Sequence, residues 1–138
     1  MTLQPGDPCP CDSGSAFGDC CQPIISARRP ADTAEALMRS RYSAFVLMDL
    51  AHLRRSWHPD TLPADLQPDP DSRWLGLKIK ASEAGGADDD HGTVEFVARF
   101  KRQGRGHRLH ENSRFTRFNG LWVYVDGELI EKPARRHR

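Results

Sequence analysis

All four cysteines of the chain, Cys9, Cys11, Cys20 and Cys21, fall within residues 9–21, spaced Cys-x-Cys, eight residues, Cys-Cys. Four thiolates satisfy a tetrahedral zinc ion, with each sulfur about 2.3 Å from the metal, and they close its shell, so the chemistry expected is structural rather than Lewis-acid. Disulfides fit less well, because sequence neighbours such as Cys20 and Cys21 rarely bridge each other without strain. A thioredoxin-type redox site would need Cys-x-x-Cys at a helix start, which is absent. Asp12-Ser13-Gly14 supplies a turn after the first pair, and Phe17 offers an apolar anchor. Residues 1–27 contain no Lys or Arg and too few apolar side chains for a core of their own. The metal is therefore expected to provide most of this segment's folding energy.

Further along, five residues carry chemistry of a different kind. Arg41 sits in a stretch that otherwise reads as core, where an unpaired charge costs several kcal/mol, so it requires a partner such as Glu95, Glu111 or Asp126. The functional alternative is an anion-binding arginine. His58, between Trp57 and Pro59, stands where a helix ends and can serve as acid or base, or can cap the last carbonyls. In Leu109-His110-Glu111-Asn112-Ser113-Arg114, alternation puts Glu111 and Ser113 on one face with Leu109 and Phe115, and turns His110 and Arg114 to the other. Glu111 is the carboxylate candidate for a base, and Arg114 a candidate for holding an anion. Trp74 is a candidate ligand platform, although Trp74, Trp122 and Tyr124 fit a core better.

These residues need elements to position them. Asp32 and Glu35 read as a capping box opening a helix through Leu37, Met38, Ala44, Phe45 and Met48. Asp49 restarts a helix in which Leu50, Leu53 and Trp57 share a face, and Pro59 stops it. Residues 59–72 hold four prolines and read as a loop. The period then becomes two. Leu75, Leu77 and Ile79 alternate with Gly76, Lys78 and Lys80, and Val94, Phe96, Ala98 and Phe100 alternate with Glu95, Val97 and Arg99. Residues 108–118 form a third strand, and Asn119-Gly120 turns it into a fourth through a type I′ hairpin. Helices followed by an antiparallel meander predict an α+β domain with the helices on one sheet face. The organisation expected is a knuckle at 1–27, a domain at 28–131 and a basic tail at 132–138.

With 138 residues, there is room for one sizeable core. The net charge of +1 gives no global nucleic-acid or membrane footprint, so neither partner is expected. The start has neither the basic nor the apolar region of a secretory signal, and the longest apolar run, Ala44–Met48, is far too short to span a bilayer. A cytoplasmic protein with reduced thiols is expected, and in that setting a cysteine cluster means metal more often than disulfide.

The stretch "CPCDSGSAFGDCC" resembles the SEC-C zinc motif found at the C-terminus of the SecA translocase, and Asp7-Pro8 resembles its usual introduction. The resemblance implies Cys9, Cys11, Cys20 and Cys21 as the zinc ligands. The motif's usual Gly is Asp12 here, and its Lys pair is Ser15-Ala16, so docking on an acidic chaperone surface is not expected of this knuckle. The segments "LMRSRYSAFVLMDLAHLRRSWHP", "WLGLKI", "GTVEFVARF", "LHENSRF" and "GLWVYVDGEL" resemble the YchJ family of bacterial proteins. That resemblance implies a main domain similar to nuclear transport factor 2, with helices against a curved antiparallel sheet that forms a cone. Such cones serve both enzymes and binding modules, so the fold alone decides nothing about activity. No catalytic constellation stands at fixed spacing. The favoured function is therefore an adaptor or binding module, using the zinc knuckle for protein interaction and the cone as a ligand or homodimerisation domain. The alternative is an isomerase- or dehydratase-like enzyme, with Glu111 and His58 as acid–base pair and Arg41 or Arg114 holding an anion.

Overall fold

The computed structural model describes residues 3–130, and the expected tail at 132–138 lies outside them. Among the described residues no helix is long and apolar enough to cross a membrane. A single 3-10 turn, Phe17–Asp19, precedes the short helix α1, Gln22–Ile25. Helix α2, Ala34–Leu47, begins one residue beyond the start that an Asp32 cap predicts. The Ala34 amide donates to Gly85 O at 2.9 Å, which leaves Thr33 as the last extended residue. The Thr33 hydroxyl then accepts the Ala36 amide at 3.0 Å. Glu35 turns to Arg39 instead of closing a capping box.

Asp49 caps helix α3, Leu50–Arg55, and its carboxylate accepts the His52 amide at 3.0 Å, as its side-chain chemistry predicts. The helix ends before Trp57 because the Ser56 hydroxyl donates to His52 O at 2.6 Å and the chain leaves to run beside the sheet. There Tyr124 N donates to Ser56 O and His58 N to Tyr124 O, both at 2.8 Å.

Four antiparallel strands, β1 (Ser72–Ala84), β2 (His91–Arg102), β3 (Arg105–Phe118) and β4 (Leu121–Leu129), lie in sequence order as a meander. Two turns with both central residues at positive φ join the last three, Gln103-Gly104 (54° and 79°) and Asn119-Gly120 (53° and 82°). The first of these starts β3 at Arg105 instead of residue 108. A bulge between Trp74 and Gly76 overturns the simple alternation expected for β1. It swings Trp74 to the helix side with Leu77 and leaves Leu75 52% exposed.

On the helix side of the sheet, Leu77, Val94, Phe96, Phe115 and Trp122 pack with Leu37, Met38, Ala44 and Leu53. Cys9, Cys11, Phe17, Cys21, Ile24 and Ile25 belong to the same continuous core, so the knuckle is fastened to the domain. Trp74 is part of this packing. Its ring centroid lies 5.6, 5.9 and 5.0 Å from those of Tyr42, Phe45 and Phe100, which packs it, half-buried, against the core.

Candidate metal centre

The backbone of the knuckle is folded by short-range bonds that bring its two cysteine pairs together. Pro8 and Ala16 form an antiparallel bridge, Cys9 N donates to Ser15 O at 3.0 Å, and Asp12 N donates to Cys9 O at 3.1 Å. Asp12 and Gly14 take positive φ of 62° and 90°, which reverses the chain between the pairs. Phe17, buried as expected of an anchor, holds the return limb, with its amide on Asp7 O at 2.8 Å.

This fold places the sulfurs of Cys9, Cys11, Cys20 and Cys21 all within 4.8 Å of one another. The Cys11–Cys20 and Cys20–Cys21 sulfurs are 3.6 and 3.9 Å apart. In a tetrahedron with metal–sulfur bonds of about 2.3 Å, sulfurs stand about 3.8 Å apart. The donor set therefore fits a tetrahedral metal ion, and none of the four is in a disulfide.

Around the sulfurs stand groups that orient them. Ser13 Oγ is 3.1 Å from the Cys20 sulfur, and Ser43 Oγ is 3.7 Å from that of Cys9. The Arg39 guanidinium donates to Cys11 O at 2.9 Å and lies 3.8 Å from the Cys11 sulfur. Glu35, Arg39 and Ser43 follow one another at four-residue spacing along α2, so one helical stripe faces the knuckle. Its role is visible in the sequence only once that face is known to meet the cysteines. Without a cation the thiols share protons. Hydrogen bonds from Cys21 and Cys9 lower the pKa of Cys11, the same bonding pushes Cys21 up, and burial raises Cys20 to about 11. A divalent ion overrides this sharing by making all four thiolates.

The remaining candidates divide between two places. Arg41 and Glu111 lie inside the cone. The Arg41 guanidinium is held between the rings of Trp57 and Tyr124, 4.8 and 4.7 Å from their centroids. It donates to Leu53 O at 3.0 Å and to Ser56 Oγ at 2.6 Å. Burial lowers its pKa to about 10, against the favourable fields of Tyr124 and Glu111. Glu111 accepts from Ser113 at 2.6 Å and from the Tyr124 hydroxyl at 3.0 Å. Of the three carboxylates expected to balance Arg41, Glu111 is the one whose charge reaches it. Glu95 is bonded to His110 at 2.6 Å, and Asp126 to Arg114 at 2.6 Å.

His58 and Arg114 instead line an open cleft of about 710 Å³, together with Glu83, His91 and Thr116. The Asp60 amide donates to His58 Nδ1 at 3.0 Å, and the His58 ring packs edge-on against Phe118. The structure thus separates the two acid–base candidates, with Glu111 half-buried on the helix side of the sheet and His58 at the surface cleft. Tyr124 was not singled out as a functional residue, yet it touches both Arg41 and Glu111.

A four-thiol knuckle fastened to helices on a four-stranded meander defines a two-part class, an NTF2-like domain with a SEC-C motif. Residues 33–127 match the family model described as the YchJ middle NTF2-like domain, and residues 7–23 match the SEC-C motif. The chain belongs to the YchJ family. A UPF0225 protein of Ralstonia nicotianae is 52% identical over 133 residues, covering 88% of this chain and 90% of that protein. A UPF0225 protein of Bordetella pertussis is 50% identical over 134 residues, covering 94% and 99%. Two solved structures are similar. A SEC-C motif containing protein from Rhodopseudomonas palustris has 36% identity and a TM-score of 0.79, covering 89% of this chain and 98% of that one. Another from Psychrobacter arcticus has 28% identity and a TM-score of 0.76, covering 96% and 88%.

Proposed function

We infer that the protein is a cytoplasmic binding module whose N-terminal knuckle is stapled by zinc and presents a rigid surface to a protein partner. What carries the reading is the polar network in the cone. Arg41 donates to Leu53 O and Ser56 Oγ, and the Glu111 carboxylate accepts from Ser113 and Tyr124, so the acid–base candidate placed there is already engaged; among the buried side-chain polar atoms of the described residues, Trp57 Nε1 alone has no partner. Four thiolates likewise leave a bound metal no open position for catalysis. The exposed knuckle turn, Asp12–Ser15, is then the surface left to recognise a partner.

The test has two readouts. Mass spectrometry of the reduced protein under non-denaturing conditions should find one zinc ion per chain. Cross-linking capture should then be compared between the intact chain and Ser15→Arg, which alters the turn without touching a sulfur. Loss of the same partners in the variant supports the module. Capture that is unchanged, or a chain without zinc, rejects it.

The open cleft beside β4 supports a second reading, a small-molecule site with His58 and Arg114 on its walls. Thermal stabilisation by small carboxylates or phosphates, abolished in Arg114→Ala, would favour it over the module.

A further inference from the structure

The sheet face turned away from the helices carries an arrangement that a solvated surface does not need. The strand register sets Arg99 directly opposite Arg108, and Arg73 directly opposite Lys101. Side chains in such pairs stand about 5 Å apart at Cβ, and like charges there destabilise the sheet. Lys78 and Lys80 extend the same field along β1. A concavity of about 310 Å³ gathers Lys78, Lys80, Arg99 and Arg108 around Gly76 and Val97.

None of these six cations is in an ion pair among the described residues. The nearby carboxylates are committed elsewhere. Asp12, which also lines the concavity, accepts the Leu77 amide at 3.0 Å, and Glu95 is bonded to His110 at 2.6 Å. The net charge of +1 is thus an average over a segregated surface, with Asp7, Asp12 and Asp19 in the knuckle and Asp88-Asp89-Asp90 in the β1–β2 loop.

We propose that this face binds the phosphodiester backbone of a nucleic acid without reading its bases. Two features select that occupant over an acidic protein. Apart from Leu75 at the bulge, the face exposes no large apolar side chain in β1, β2 or residues 105–117. A protein partner would therefore lack the desolvated anchors that carry interface energy. A polyphosphate needs none, because counterion release supplies its affinity. No aromatic ring on which bases could stack lines the concavity, and as a sheet the face inserts no helix into a groove, so backbone contact is what remains.

The test uses the intact chain and fluorescence anisotropy with a labelled oligouridylate, from about 50 to about 200 mM salt. Binding should weaken steeply with salt. Arg99→Ala/Arg108→Ala should bind about tenfold or more weakly, and its log–log salt slope should fall by about 1.4, two single-strand contacts' worth. Lys78→Gln/Lys80→Gln should behave alike, while a chain ending at residue 131 should keep most of its affinity. Because each change removes repulsion, the thermal midpoints should stay level or rise, which separates lost contacts from misfolding. The proposal is overturned if the intact chain does not bind, if both double variants keep affinity and slope, if binding disappears with the tail alone, or if polyglutamate competes as well as the oligonucleotide.

Discussion

The carboxylate of Asp12 accepts the backbone amide of Leu77 at 3.0 Å, tying the turn of the knuckle to β1 just past its bulge. Asp12 occupies a left-handed position, φ 62°, where the SEC-C resemblance implies glycine. The chain thus accepts a backbone conformation that glycine would adopt freely, and gains a staple across 65 residues of sequence. Asp12→Ala removes the acceptor and keeps the strain, at about 1–2 kcal/mol for the first and about 1 for the second. Asp12→Gly should cost less than Asp12→Ala, because it relieves the backbone, and Asp12→Asn should cost least. Denaturant unfolding of the metal-loaded protein ranks the three, and an Ala variant as stable as the Asn variant would show that the staple contributes nothing.

His52 provides a pH test independent of the knuckle. Its ring is buried between α2 and α3, with Nε2 2.9 Å from Ser40 Oγ and Nδ1 3.0 Å from the Arg55 guanidinium. Ser40 already donates to Leu37 O, and Arg55 can only donate, so the neutral Nε2–H tautomer satisfies every partner. Burial first, then the charges of Arg55 and Arg41, lower the pKa from 6.5 to about 4. Because the folded value lies below the unfolded one, the folded state resists protonation. Stability is therefore full above about pH 6.5 and is lost as pH falls toward about 4. The loss is on the order of 3 kcal/mol. Urea midpoints across that window, in wild type and His52→Gln, isolate the effect from acid release of metal, which both share. Parallel pH profiles in the two proteins would refute it.

Removing the metal should reach beyond the knuckle. Cys9, Cys11 and Cys21 are buried in the same core as Leu37 and Met38, and Phe17, Ile24 and Ile25 continue it. Chelation under reducing conditions should abolish amide protection at residues 9–21 and lower the thermal midpoint of the whole domain by several degrees. Hydrogen exchange read by mass spectrometry separates the two effects. If the sheet's midpoint is unmoved while the knuckle opens, the segment is an appendage and the shared core is not energetically shared.

Much of this architecture was legible because it is local. Asp49 caps α3 by its own side-chain chemistry, Asn119-Gly120 turns β3 into β4, and the cysteine spacing already predicted four sulfurs at one point. The failures share a cause, which is that tertiary contacts override local pattern. The Ala34–Gly85 bond moved the helix start from Asp32 to Thr33, and the β1 bulge reversed Trp74 and Leu75. Alternation correctly grouped Glu111 with Leu109 and Phe115, but could not say that Tyr124 from another strand would occupy its carboxylate. Composition failed differently, since a net charge contains no record of which strand faces which. Arg99 opposite Arg108 exists only in the register.

Gly127, exposed near the end of β4, leaves room for the Glu111 side chain. It lies directly opposite Ser113 in the sheet, and a Cβ there would overlap the Glu111 carboxylate, whose Oε2 accepts from both Ser113 and Tyr124. An alanine must therefore shift the carboxylate from its place, leaving the buried Ser113 hydroxyl and the half-buried Tyr124 hydroxyl without their acceptor and moving a negative charge away from Arg41. Gly127→Ala should cost about 1–3 kcal/mol, the scale of leaving a buried hydroxyl without its partner. Glu111→Ala should cost a similar amount by removing the same acceptor. Glu111→Gln, which keeps an oxygen for Tyr124 and Ser113 but no charge for Arg41, should fall between wild type and Glu111→Ala. The decisive measurement is the double-mutant cycle. If the glycine matters because of Glu111, then Gly127→Ala in a Glu111→Ala background should cost less than about 1 kcal/mol, since the added methyl group then meets open space. Additive losses would mean instead that the glycine is needed for the backbone of β4 alone, and that Glu111 can be displaced without disturbing Arg41.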